Sequence, residues 1–306
     1  MSLLPTPRSG HAPTNGLELA YEDYGDTAAP AVVMIMGLGT QLLGWPEPLI
    51  AALLERGFRV VRFDNRDVGL STRLSGAKPT EDIRRAYSKS LLGLPVQAPY
   101  RLQDMAQDTL GLLDALQIER AHVVGASMGA MIGQTLAGHH ADRVASLTSI
   151  MSSSGHRWLR PGDPRATLRL SQPPPAQDPE TIARHMTQTM RVIGSKPHLA
   201  MDDDQRYAEL KRAAERAYYP AGTARQLLAI LASGSRVDLL RRLRTPTLVL
   251  HGEHDPLVPV THGRHTARCI PKARLETFDG MGHDLPPALM PRFAALIAEH
   301  AAQVGR

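Results

Sequence analysis

The sequence predicts an α/β domain with a mostly parallel sheet, helices on both faces and a helical insertion. Three observations predict it. Strand-like and helix-like segments alternate through the first half and resume near residue 247, the pattern of a parallel sheet covered on both sides. Residues 31–36 form an unbroken apolar run ending at Gly37, as in a strand buried on both faces. From about Ser152 to Ser235 there is no convincing buried strand.

Taken in order, residues 17–24 alternate apolar and polar and read as a strand, followed by the strand at 31–36. A helix at 48–56 is stopped by Gly57, and a β-rich segment covers 59–63. Helical periodicity fills 102–116; a short strand at 122–124 runs into Gly125; a helix at 128–137 and a strand at 144–150 follow. In the middle, Asp178-Pro179-Glu180 reads as an N-cap with proline at the first helical position. Helices are expected near 179–192, 204–217 and 221–231. Strands at 247–250 and 273–278 and an amphipathic helix at 288–303 close the chain. The expected division is core 1–151, helical cap 152–235 and core 236–306. A separate helical domain is the plainer alternative, but the β-α pattern continues on the far side.

The chain of 306 residues is long enough for one large core with an insertion. With 42% hydrophobic and 21% charged residues it has a globular rather than disordered composition. The single cysteine, Cys269, excludes an intrachain disulfide framework and points to a reduced, cytoplasmic setting. No apolar run has the length of a signal peptide or membrane span, so no membrane partner is expected. The net charge is +5, but the tightest basic cluster, Arg241, Arg242 and Arg244, reads as a solvated helix end. Without a basic stripe or recognition motif, no nucleic-acid partner is expected.

The strongest motif is Gly125-Ala126-Ser127-Met128-Gly129, a G-x-S-x-G pattern between a strand and a helix. The five-residue pattern alone also occurs in turns without chemistry. Between strand and helix it has a mechanical meaning: a sharp turn holds the serine out at the carboxyl edge of the sheet. The glycines let strand and helix approach, and the helix amino end favours developing negative charge there.

Serine needs a base within hydrogen-bond reach. Among thirteen histidines, His283 is the best placed, in the loop Gly280-Met281-Gly282-His283-Asp284 between the last strand and the last helix. His139, His140, His262 and His265 read as helix-end or surface residues, and no cysteine or carboxylate cluster completes a metal site. The acid is expected to be Asp255, just past the strand at 247–250; Glu253, Asp279 and Asp284 are rivals, and a turn-capping role before Pro256 is its plainer reading. The order Ser127, Asp255, His283 is the one this architecture uses. Two backbone N–H groups should form an oxyanion hole: that of Met128 and, from Gly37-Leu38-Gly39, that of Leu38.

Together these residues resemble the α/β-hydrolase fold family, over nearly the whole chain outside the insertion. The resemblance implies an eight-stranded, mostly parallel sheet with an inserted helical cap. Asp64-Asn65-Arg66-Asp67-Val68-Gly69-Leu70-Ser71 is similar to the family's D-x-R-G-x-G-x-S loop, with Asp67 where glycine is usual, and Arg66 and Asp64 are expected to order a loop near the site. Met36-Gly37 stands where many members have His-Gly. Met34-Ile35-Met36-Gly37, Leu43-Gly44-Trp45-Pro46 and Gly280-Met281-Gly282-His283 are similar to the aclacinomycin-methylesterase-like branch, whose members remove a methyl ester from a polyketide.

The expected activity is hydrolysis of a small-molecule carboxylic ester through an acyl-enzyme on Ser127, with no cofactor. A carbon–carbon bond hydrolase or cofactor-free perhydrolase would keep the same three residues, and a non-catalytic binding protein is a third reading. Epoxide hydrolases and haloalkane dehalogenases attack with aspartate, which Ser127 argues against. Trp45, Trp158, Met186 and Met190 are candidates to line the substrate pocket, with ordinary core packing as the alternative for each. The sequence leaves the oligomeric state open.

Overall fold

The structure, a computed structural model, describes residues 4–76 and 81–304. Its elements run β1 (Arg8–Thr14), β2 (Leu17–Tyr24), β3 (Ala31–Ile35), α1 (Glu47–Leu54), β4 (Arg59–Phe63), α2 (Ile83–Leu92), α3 (Leu102–Ala115), β5 (Ala121–Ala126), α4 (Met128–His139) and β6 (Val144–Ile150). The middle segment then carries α5 (Pro164–Ser171), α6 (Pro179–Ile193), α7 (Asp203–Arg216) and α8 (Pro220–Ser233). The chain closes with α9 (Val237–Arg241), β7 (Thr247–Gly252), α10 (Val260–Cys269), β8 (Arg274–Phe278) and α11 (Met290–Ala302).

The eight strands form one sheet in the order β1-β2-β4-β3-β5-β6-β7-β8. β1–β2 and β2–β4 pair antiparallel, and every later pair is parallel. Alternation along a strand sends successive side chains to opposite faces, so β3 serves two cores. Val33 and Ile35 join Leu112, Met131, Ile132 and Leu136 from α3 and α4. Val32 and Met34 join Leu49, Leu53, Phe293 and Ile297 from α1 and α11. Each such side chain, fully withdrawn from water, contributes about 1.5–3 kcal/mol before entropy is counted.

The insertion of α5–α8 lies between β6 and β7. At the start of α6 the Asp178 side chain accepts the Thr181 N–H at 2.9 Å, with Pro179 in the first turn. The strand expected at 122–124 is longer, because Gly125 and Ala126 continue the pairing with Ser149 and Ile150. The sequence reading did not include β1, α2, α5, α9 or α10. β1 is a polar edge strand joined to β2 through Asn15 (φ 46°) and Gly16 (φ 75°), the two left-handed residues of a tight hairpin.

Candidate active site

β5 ends at Ala126 and α4 begins at Met128, so Ser127 alone makes the turn, with φ 52° and ψ −115°. A non-glycine residue with positive φ is strained, and the surrounding contacts hold it there. Ser127 N–H donates to Ile150 O at 2.9 Å, and Ser127 O accepts the Ser152 hydroxyl at 2.8 Å and the Ala130 N–H at 3.1 Å. A Cβ on Gly125 would sit 2.5 Å from the Ala130 backbone, and one on Gly129 would overlap the Ile35 carbonyl. The two glycines of the motif are therefore required by close approach of strand and helix.

The β7 and β8 loops bring the other two residues to the same rim. His283 Nε2 lies 3.1 Å from Ser127 Oγ, and His283 Nδ1 lies 2.7 Å from Asp255 Oδ2. Asp255 Oδ1 accepts the Leu257 and Val258 N–H groups at 2.9 and 2.8 Å, which fixes the carboxylate in its own turn. The His283 loop is tied to the end of α6: His283 N–H donates to Ile193 O at 2.7 Å and Gly282 N–H to Ser195 Oγ at 3.0 Å. The rivals lie elsewhere. Glu253 is exposed and accepts the Thr277 hydroxyl, Asp279 is exposed beside His254, and Asp284 accepts from Ser195.

Burial by itself would raise the Asp255 carboxyl, but the facing His283, aided by His251, holds it below the usual carboxylate range. Burial would likewise lower His283, but the charge and hydrogen bond of Asp255, with Asp284 beyond, raise it above the usual 6.5. An imidazole whose Nδ1–H faces a carboxylate leaves Nε2 free to accept from the serine hydroxyl.

β3 leads into a turn at Gly37-Leu38-Gly39-Thr40, closed by Thr40 N–H to Gly37 O at 3.2 Å. Gly37 lies against the serine: a Cβ there would be 3.3 Å from Ser127 Cβ and 3.9 Å from Oγ. Among the described residues, neither the Leu38 N–H nor the Met128 N–H donates to a protein group. Two free backbone donors thus belong to the segments flanking the Ser127 hydroxyl.

The pocket candidates fare differently. Trp45 is 1% exposed and packs in the core with Leu49, Leu53 and Phe293, because the chain turns inward before α1. Trp158 is 76% exposed, with the Arg157 guanidinium over its ring at 5.1 Å from the centroid. Met186 and Met190 are partly buried on α6, the helix whose end meets His283. His262 lies in the first turn of α10, at a helix end as expected, whereas His265 lies inside that helix; both are half-buried, with the Ser153 and Ser154 hydroxyls at 2.8 and 2.9 Å.

Supporting residues complete the site, and of these only Asp64 was expected from the sequence to order a loop near it. Asn65 Nδ2 donates to Met36 O at 3.0 Å and so holds the strand end that carries Gly37. Asp64 accepts the Leu42 and Leu70 N–H groups. Asp67, with φ 68°, keeps the left-handed conformation for which glycine is usual and pairs with Arg225. His251 is fully buried behind Asp255; its Nε2 lies 2.7 Å from Val258 O and 3.6 Å from Asp255 Oδ2, beyond hydrogen-bond reach of the latter. The Asp-Asn-Arg-Asp run was the available signal for the first three; no local pattern marks His251.

This geometry, on this sheet, defines a class, and the comparisons agree with it. Residues 30–286 match the alpha/beta hydrolase fold family, and the chain belongs to that family. It is similar to the rhodomycin D methylesterase of Streptomyces peucetius, 28% identical over 91% of this chain and 93% of that one. It is also similar to the enol-lactonase from Burkholderia xenovorans, at 25% identity and a TM-score of 0.70, covering 97% of this chain and all of that one. The meta-cleavage product hydrolase from Pseudomonas fluorescens shares the fold, with a TM-score of 0.72 at 19% identity over 98% of each chain.

Proposed function

We propose that this hydrolase cleaves a small carboxylic ester through an acyl-enzyme on Ser127. The observation that carries the reading is the hydrogen-bonded series from Ser127 through His283 to Asp255, with distances of 3.1 and 2.7 Å. His283 Nε2 takes the hydroxyl proton as Ser127 Oγ attacks the ester carbonyl. The Leu38 and Met128 N–H groups hold the tetrahedral oxyanion, and each is worth about 3 kcal/mol of barrier. The alcohol leaves with the proton from His283. Water, deprotonated by His283, then releases the acid and restores the serine.

The similarity to a methylesterase over nine-tenths of the chain supports an ester as the scissile group. The inserted helices, meeting the His283 loop through Ile193 and Ser195, form the cap that shapes the substrate site, and Met186 and Met190 remain its candidate lining. A ladder of synthetic esters from methyl to long-chain, with a meta-cleavage-type diketone as contrast, tests the reading. Ester turnover that Ser127→Ala abolishes supports it. Turnover of the diketone with every ester inert overturns it.

A further inference from the structure

Gln226 lies on α8, in the inserted segment, and is fully buried. Its Oε1 accepts the Gly39 N–H at 2.8 Å and its Nε2 donates to Arg66 O at 2.7 Å. A backbone N–H on one side and a carbonyl on the other permit only this orientation of the amide. One side chain therefore joins three segments: the loop after β3, the loop after β4 and a cap helix.

The position of Gly39 gives this clamp its consequence. Gly39 is the third residue of the turn that Thr40 N–H closes onto Gly37 O, with φ 64°, the arrangement of a type II turn. Type I and type II turns interconvert by rotation of the central peptide, here Leu38–Gly39. Gln226 grips that peptide by its N–H. Thr223, one turn earlier on α8, packs against Gly39 so closely that a Cβ there would lie 2.7 Å from its hydroxyl. Asn65 holds the Met36 carbonyl at the other end of the loop. The Gly37–Leu38 peptide, which carries one of the two free donors, is thus fixed from both sides.

We propose that Gln226 is a positioning residue that fixes the direction of the Leu38 N–H, so that the cap helix is a working part of the oxyanion hole. This rests on the esterase reading given above. Gln226 touches neither substrate nor serine. Its contribution is preorganisation: a donor aimed before charge develops needs no reorganisation when it does.

The test uses Gln226→Met, which keeps length and volume but makes neither bond. With an ester that the wild type turns over, kcat/KM is expected to fall 10- to 100-fold. The inhibition constant of a trifluoromethyl ketone, whose serine adduct carries an oxyanion, should rise by the same factor. That of the matching unreactive amide should change less than threefold. Gln226→Glu keeps the acceptor for Gly39 N–H and is expected to fall between Gln226→Met and wild type; it serves if Gln226→Met does not fold. A folded variant with kcat/KM within twofold of wild type, or equal weakening of ketone and amide, overturns the proposal. Wild-type protein that neither hydrolyses esters nor is labelled at Ser127 by a fluorophosphonate would instead overturn the esterase reading itself.

Discussion

Asp255 divides its two oxygens between His283 and its own backbone: Oδ2 stands 2.7 Å from His283 Nδ1 while Oδ1 accepts the Leu257 and Val258 N–H groups. The carboxylate cannot rotate toward the imidazole or away from it without losing the turn. Asp255→Asn keeps the turn acceptor but puts an amide opposite Nδ1, which favours the wrong tautomer. The expected loss is on the order of 10⁴-fold in kcat, with an unchanged circular dichroism spectrum. The same loss from Glu253→Gln, with Asp255→Asn active, would move the acid to the other residue.

The raised His283 governs the acid limb of activity. Activity requires the neutral imidazole, so kcat/KM should climb through an apparent pKa above the ordinary 6.5. Asp284 contributes to that rise through its charge, so Asp284→Asn should move the limb to lower pH. A limb that stays in place in Asp284→Asn, in a variant that retains turnover, removes Asp284 from the electrostatics of the site.

How far the sequence reached follows from what each element requires. The buried strands around β3 and the serine turn were legible because both depend on local patterns: an apolar run, and glycines where backbones touch. Asp255 and His283 were legible because each follows a recognisable strand. β1 and α2 were missed although signals existed. Asn15-Gly16 marks the hairpin, and Asp82 and Gly93 cap α2 at its two ends. Gln226 and His251 left no local trace, because their partners lie on other segments. The burial of the tryptophans was not legible, because a large apolar residue near the motif reads alike whether it packs inward, as Trp45 does, or projects outward, as Trp158 does.

Acid should loosen the fold before it protonates most carboxylates. Burial, with repulsion from His300 and Arg120, holds His122 down to about 4, and burial also lowers His262, His265 and His300. Unfolded, these groups bind protons once the pH falls below about 6.5. The unfolded chain then holds more protons than the folded one, so stability is full above that pH and declines toward pH 4. His283, raised by its partner, acts in the opposite sense: its contribution is full below pH 6.5 and fades as the pH rises through its folded pKa. Below pH 6.5 that contribution no longer changes, so it does not counter the decline. Urea midpoints should fall from about pH 6.5 to pH 5; a constant midpoint over that range contradicts this.

Arg225 and Asp67 form a buried bidentate pair, at 2.7 and 2.8 Å, between the cap and the loop after β4. Removing one partner leaves the other charge buried, so Arg225→Met should destabilise the chain by about 3–5 kcal/mol. Adding Asp67→Asn to Arg225→Met should recover part of that loss. A double-mutant cycle by denaturant unfolding reads the coupling, and additive effects would show that the pair is not coupled.

The most direct measurement is intact-mass analysis of the protein quenched within the first turnovers of a p-nitrophenyl ester, followed by peptide mapping. The account predicts one acyl group, carried by the peptide containing Ser127 and absent from Ser127→Ala. Turnover with Ser127 unmodified and undiminished in Ser127→Ala would contradict it.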